Sequence, residues 1–120
     1  MSSIELSNGQ EIRCIVASMT FGFKGVNGFF DCESQFIVDK KYLPDLNVVI
    51  TNNIECLNIS ENGLPNNIIE GLFRIIDVEF EQFSYKFSIV SNNCRIAKEK
   101  SKLSIITRKI NKIKQHIGGI

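Results

Sequence analysis

The stretch Phe73–Val90, FRIIDVEFEQFSYKFSIV, constrains this chain more than any other. Ile76, Val78 and Phe80 alternate with Asp77, Glu79 and Glu81, and then Phe83, Tyr85, Phe87 and Ile89 alternate with Ser84, Lys86 and Ser88. Such alternation marks a strand with one face in a core and one in water, because successive side chains of an extended backbone point to opposite sides. The parity changes between Phe80 and Phe83, as it does where a chain reverses around Glu81-Gln82. That reversal sets Phe80 opposite Phe83, Val78 opposite Tyr85 and Ile76 opposite Phe87 on the apolar side. On the polar side it sets Asp77 against Lys86 and Glu79 against Ser84. A four-residue loop from Phe80 to Phe83 keeps this register, and one long strand with a bulge changes the parity in the same way. Each version makes the stretch the centre of a sheet.

Other hairpins are expected around it. Ser7-Asn8-Gly9 has the chemistry of a three-residue turn with glycine in the left-handed position, which pairs Ile4 with Ile12 and Leu6 with Gln10. Cys14 and Val16 continue the same apolar face. Thr20–Phe30 carries Gly22, Gly25 and Gly28; Asn27-Gly28 reads as a hairpin turn, and the spacing matches no phosphate-binding loop. Gln35–Asp39 reads as a short strand ended by Lys40-Lys41 and Pro44. Leu46–Ile59 reads as a further hairpin about Asn52-Asn53, with Val48 opposite Leu57 and Leu46 opposite Ile59. Residues 60–67 read as a loop.

The texture changes after Asn93. Leu103, Ile106, Ile110, Ile113 and Ile117 recur at spacings of three and four, the period of one helix stripe. Ser101 suits its N-cap and Gly118-Gly119 its end. The expected architecture is therefore α+β in a single domain spanning 1–120. It comprises a strand-rich body over 1–91, a mostly antiparallel twisted sheet of six to eight strands, and an amphipathic helix at 101–117 packed on that sheet.

Charge divides along the same line. From Asn92 onward eight Lys and Arg face one acid, Glu99, whereas residues 1–91 hold twelve acids and six bases. The body is acidic and the tail is basic. A chain 43% hydrophobic and 22% charged falls outside the disordered class. The apolar runs are too short for a membrane span, and MSSIELSNGQE has neither the basic nor the apolar region of a secretory signal. A cytoplasmic location follows as the expectation.

Chemistry-bearing constellations are sparse. Cys14, Cys32, Cys56 and Cys94 are far apart in sequence and sit in apolar surroundings, and His116 is the only histidine. This pattern lacks the paired ligands of a zinc site and suits reduced thiols in a core. No metal, cofactor or catalytic set is expected, so the chain reads as no enzyme.

Asn58-x-Ser60-x-x-Gly63 resembles the [D/N]-x-S-x-x-G segment of PilZ cyclic-di-GMP receptors. The resemblance implies a small β-barrel that binds a nucleotide through Asn58, Ser60 and Gly63. It also implies an arginine clamp for the phosphates, and here Arg13 is the one arginine upstream.

Small size, no catalytic set and an acidic body point first to a protein-binding module. Its concrete form is an immunity-type inhibitor that covers a bacterial toxin such as a basic nuclease. Asp77, Glu79, Glu81, Glu55 and Glu61 are the candidate partner-binding residues. The alternatives are the nucleotide-sensing barrel and a nucleic-acid contact through the basic helix. The second lacks the aromatic residues that usually interleave with cations in such readers.

Overall fold

A computed structural model describes residues 1–23, 28–62 and 67–97. The first hairpin forms as the turn chemistry dictates. Strand β1 (Ser2–Leu6) pairs with β2 (Glu11–Phe23), Ile4 opposite Ile12. The Leu6 N–H donates to the Gln10 carbonyl at 2.9 Å, and Gly9 closes the turn at φ 89°. An L side chain in that conformation brings Cβ against the following carbonyl. Gly9→Ala is therefore expected to cost about 1–2 kcal/mol in urea unfolding, with the denaturant slope unchanged.

Strand β3 (Phe30–Asp39) runs back along β2 from Phe23 opposite Phe30 to Ile15 opposite Ile37. Gly28 has the positive φ, 75°, that its turn reading called for. The strand register makes the connection six residues long rather than two, and residues 24–27 lie outside the described residues. A 3₁₀ turn (Lys40–Tyr42) then leads to a short helix, α1 (Asn47–Thr51). Strands β4 (Ile54–Ile59), β5 (Asn67–Phe80) and β6 (Ser84–Ala97) complete the described fold.

Each strand pairs antiparallel with two neighbours in the order β1-β2-β3-β6-β5-β4, and β4 returns to β1 to close a barrel. Among the described residues the expected α+β sheet thus gives way to a closed antiparallel barrel that is nearly all β. Closure joins β1 to β4, the strands that would be the two edges of an open sheet, and a barrel this small fills its interior with side chains. Phe36 and Phe87 stack at the centre, ring centroids 5.2 Å apart and planes at 21°, among Ile4, Leu6, Ile12, Val38, Ile69 and Ile89. The stretch expected to form the helix 101–117 lies outside the described residues.

Two further expectations are corrected. Leu46–Ile59 is not a hairpin, because local polar groups satisfy a helical turn first. The Asp45 carboxylate accepts the Asn47 N–H at 3.0 Å, the Asn52 amide donates to the Val48 carbonyl at 2.8 Å, and Thr51 donates to the Asn47 carbonyl at 2.6 Å. Such side-chain bonds supply partners that helix ends otherwise lack. Val49 then points into the core, and Leu57 pairs with Ile4 of β1.

The central hairpin forms, but its register lies two residues away and Phe80 and Phe83, expected on the buried face, stand exposed. Its turn is Gln82-Phe83, closed by the Glu81 N–H on the Ser84 carbonyl at 3.0 Å. Phe80 therefore opposes Tyr85, Val78 opposes Phe87, Glu79 opposes Lys86 and Asp77 opposes Ser88. A register shift between Ile75 and Asp77 makes Ile76 the extra residue, and it turns outward, 54% exposed, instead of facing Phe87.

Candidate functional site

Strand length creates the most unusual surface. β5 has 14 residues but β4 only six, and their pairing ends where Ile54 meets Phe73. From Arg74 to Phe80, β5 pairs with β6 on one side, and among the described residues no strand pairs with its other side. Helix α1 lies across the gap. Between them runs a groove of about 650 Å³ lined by Val49, Ile50, Leu72, Ile76 and Asp77, among others. Ile50, Leu72 and Ile76 stand exposed along it, an unusual density of aliphatic side chains in water. At the far end Phe80 and Phe83 are 70% and 71% exposed, although Phe36, Phe73 and Phe87 are buried.

The five acids expected at a partner surface separate into three places. Asp77 and Glu79 project from the far half of β5, and Glu81 follows at the turn, where its carboxylate accepts the Ser84 hydroxyl at 2.9 Å. Glu55 is half-buried on β4, in a separate hollow with Glu70 and Arg95, which are themselves paired at 2.7 Å. Glu61 accepts the Val16 N–H at 3.0 Å, where the β2–β3 register shifts, so it serves the barrel wall. Asp77 lines the groove itself, Glu79 and Glu81 follow it along the hairpin, and Glu55 meets it only through Leu72, which borders both hollows. Sequence reasoning missed the groove residues Ile50 and Leu72 and the exposure of Ile76. The only signal for them was the mismatch in length between the apolar run Ile54–Ile59 and the longer one that follows it.

The Asn58 motif begins on β4, the neighbour of β5, on the side that pairs with β1. The Asn58 amide donates to Ser3 Oγ at 3.3 Å, and the Ser60 N–H donates to Ser2 Oγ at 3.0 Å, while Gly63 lies outside the described residues. Ser3 is the register partner of both Asn58 on β4 and Arg13 on β2. Residues far apart in sequence thus stand in one row across three strands. The Arg13 guanidinium lies 5.9 Å from the centroid of the Tyr42 ring, and beside it a groove of about 290 Å³ includes Ile15, Ile37, Lys41 and Phe83 in its wall. Glu11 accepts the Ser3 hydroxyl at 2.8 Å on the same face.

All four cysteines are buried free thiols. Burial, aided by the charge of Glu61, pushes Cys14 up to about 12. Among the described residues no cluster of three His, Cys, Asp or Glu side chains could hold a metal, and no helix is long and apolar enough to cross a membrane. Comparison with protein-family models, with curated proteins and with solved structures found no match.

Proposed function

We propose that this chain is a non-catalytic protein-binding module whose contact surface is the Arg74–Phe80 half of β5, together with the groove beneath α1 and the turn aromatics. The observation that carries this is the unpartnered side of β5. A strand with an open side offers backbone donors and acceptors to an extended segment, and adjoining pockets select alternate side chains. Here the groove is apolar at Ile50, Leu72 and Ile76 and carries Asp77 beside Arg74, and the exposed Glu79 and Glu81 follow along the hairpin. The fitting partner is an extended segment in which apolar residues alternate with Lys or Arg, carried by a basic protein. An immunity-type inhibitor docked on a basic toxin is the concrete form of this reading.

Selection of displayed peptides against the barrel tests it. The selected sequences are expected to alternate apolar and basic residues and to shift the amide resonances of Arg74–Phe80. Ile76→Lys with Glu79→Lys should weaken them at least tenfold while the fold stays intact. Binding that is indifferent to both substitutions and to salt between 0.05 and about 0.5 M would remove the reading, because surface charges are screened over that range.

A second reading, the nucleotide-sensing barrel, is favoured by the row Arg13–Ser3–Asn58 in a closed β-barrel. It takes second place because the Glu11 carboxylate shares that face and opposes a phosphate there. Saturable binding of cyclic di-GMP that moves β1 and β2 resonances and is lost in Arg13→Ala would promote it over the first.

A further inference from the structure

Cys32 on β3 and Cys94 on β6 belong to neighbouring strands, and both are buried on the inner side. Cys94 is the register partner of Phe30, and Cys32 that of Ser91, with one irregularity between them. The two cysteines are therefore diagonal neighbours on one inner face, and each thiol is the largest influence on the titration of the other. On the other flank of β6 stands Gly71 of β5, where an added Cβ would come within 2.9 Å of Cys94 Sγ and 3.1 Å of the Asn93 carbonyl. The Cys94 sulfur thus occupies room that a side chain at residue 71 would otherwise take.

The two thiols differ in character. Hydrogen bonds from Cys32 and then from Ser91 bring Cys94 down to about 7 against the opposing effect of burial. Cys32 is pushed up, first by its bond to Cys94 and then by burial, so it stays the protonated donor. A nucleophilic sulfur and a second sulfur in contact with it are the parts of a resolving pair.

We propose that Cys32 and Cys94 form a reversible dithiol–disulfide site whose oxidant is hydrogen peroxide. The Cys94 thiolate attacks one peroxide oxygen, the O–O bond breaks, and the departing hydroxide takes a proton to leave as water. Cys94 is then a sulfenic acid. The Cys32 sulfur attacks the Cys94 sulfur, the S–O bond breaks, and the hydroxide leaves as water with the Cys32 proton. Two thiols lose two electrons in all, and one peroxide is reduced to two waters. The oxidant must be small because both sulfurs are buried, which shields them from protein disulfides. The bond ties β3 to β6 beside their register irregularity and closes a long loop, so it stabilises the barrel by restricting the unfolded chain.

Treating the folded wild-type protein with hydrogen peroxide, blocking the remaining thiols and mapping unreduced peptides tests this. The expected product joins the Cys32 and Cys94 peptides, two hydrogens lighter than their sum, and dithiothreitol reverses it. The thermal midpoint should rise by roughly 5–15 °C on oxidation. In Cys32→Ser the same treatment should leave a sulfenic acid on Cys94 that dimedone traps. Should that variant fail to fold, the wild-type map decides alone. Linkage to Cys14 or Cys56, sulfinic acid on Cys94 with Cys32 still free, or four unreacted thiols would each overturn the proposal.

Discussion

Phe87→Ala is expected to remove about 3–5 kcal/mol of stability, while Phe80→Ala, one turn of the same hairpin away, removes less than about 1. Both residues belong to one alternating apolar set, and by sequence alone they are equivalent. In the barrel they are not. Phe87 is fully buried and stacks on Phe36, so its truncation loses the transfer free energy of the ring and leaves a cavity that fixed strands cannot close. Phe80 meets Tyr85 edge-on at 5.7 Å but keeps most of its surface in water. Urea unfolding reads the difference directly. A fall in midpoint of roughly 2 M is expected for Phe87→Ala, and little change for Phe80→Ala. Equal effects would mean that the hairpin tip is folded into the core and is not available to a partner.

What was legible in the sequence was local. The first hairpin could be read to the residue because Gly9 and the apolar face from Ile4 to Val16 specify one turn and one register together. In β5 and β6 the burial of Phe87 and Ile89 was equally clear, whereas Ile76, Phe80 and Phe83, read as buried with them, stand exposed. The register of the pair was not legible, because Gln82-Phe83 is as poor a two-residue turn on paper as Glu81-Gln82. The choice falls to the pair Glu81 and Ser84, bonded through both backbone and side chains. Val48, Val49 and Ile50 carry strand propensity, yet Asp45, Thr51 and Asn52 close a helical turn around them. The candidate surface was legible only in its acids. Its open strand side comes from where β4 stops, and no residue in β5 encodes that.

Barrel closure itself is the least local feature, and Ile4→Asp is expected to abolish cooperative folding. Ile4 is fully buried and opposes Ile12 on one side and Leu57 on the other, so β1 is the strand through which β2 and β4 are joined. A carboxylate there is shut away from solvent between two aliphatic side chains, and burial of such a group costs several kcal/mol even when it is neutralised by protonation. That is a large share of the roughly 5–15 kcal/mol that holds a domain of this size. A milder pair of changes separates closure from simple destabilisation. If β1 closes the barrel, Ile4→Ala and Leu57→Ala should each cost about 2–5 kcal/mol and should couple by about 0.5–3 kcal/mol in a double-mutant cycle. Hydrogen exchange in Ile4→Ala should then quicken in β4 as well as in β2, because both lose the strand between them. Were β1 only the outer arm of a terminal hairpin, the cycle would give no coupling and β4 would keep its protection while β2 frayed. That result would return the fold to an open sheet and would leave a further unpartnered strand side at β4, next to Asn58.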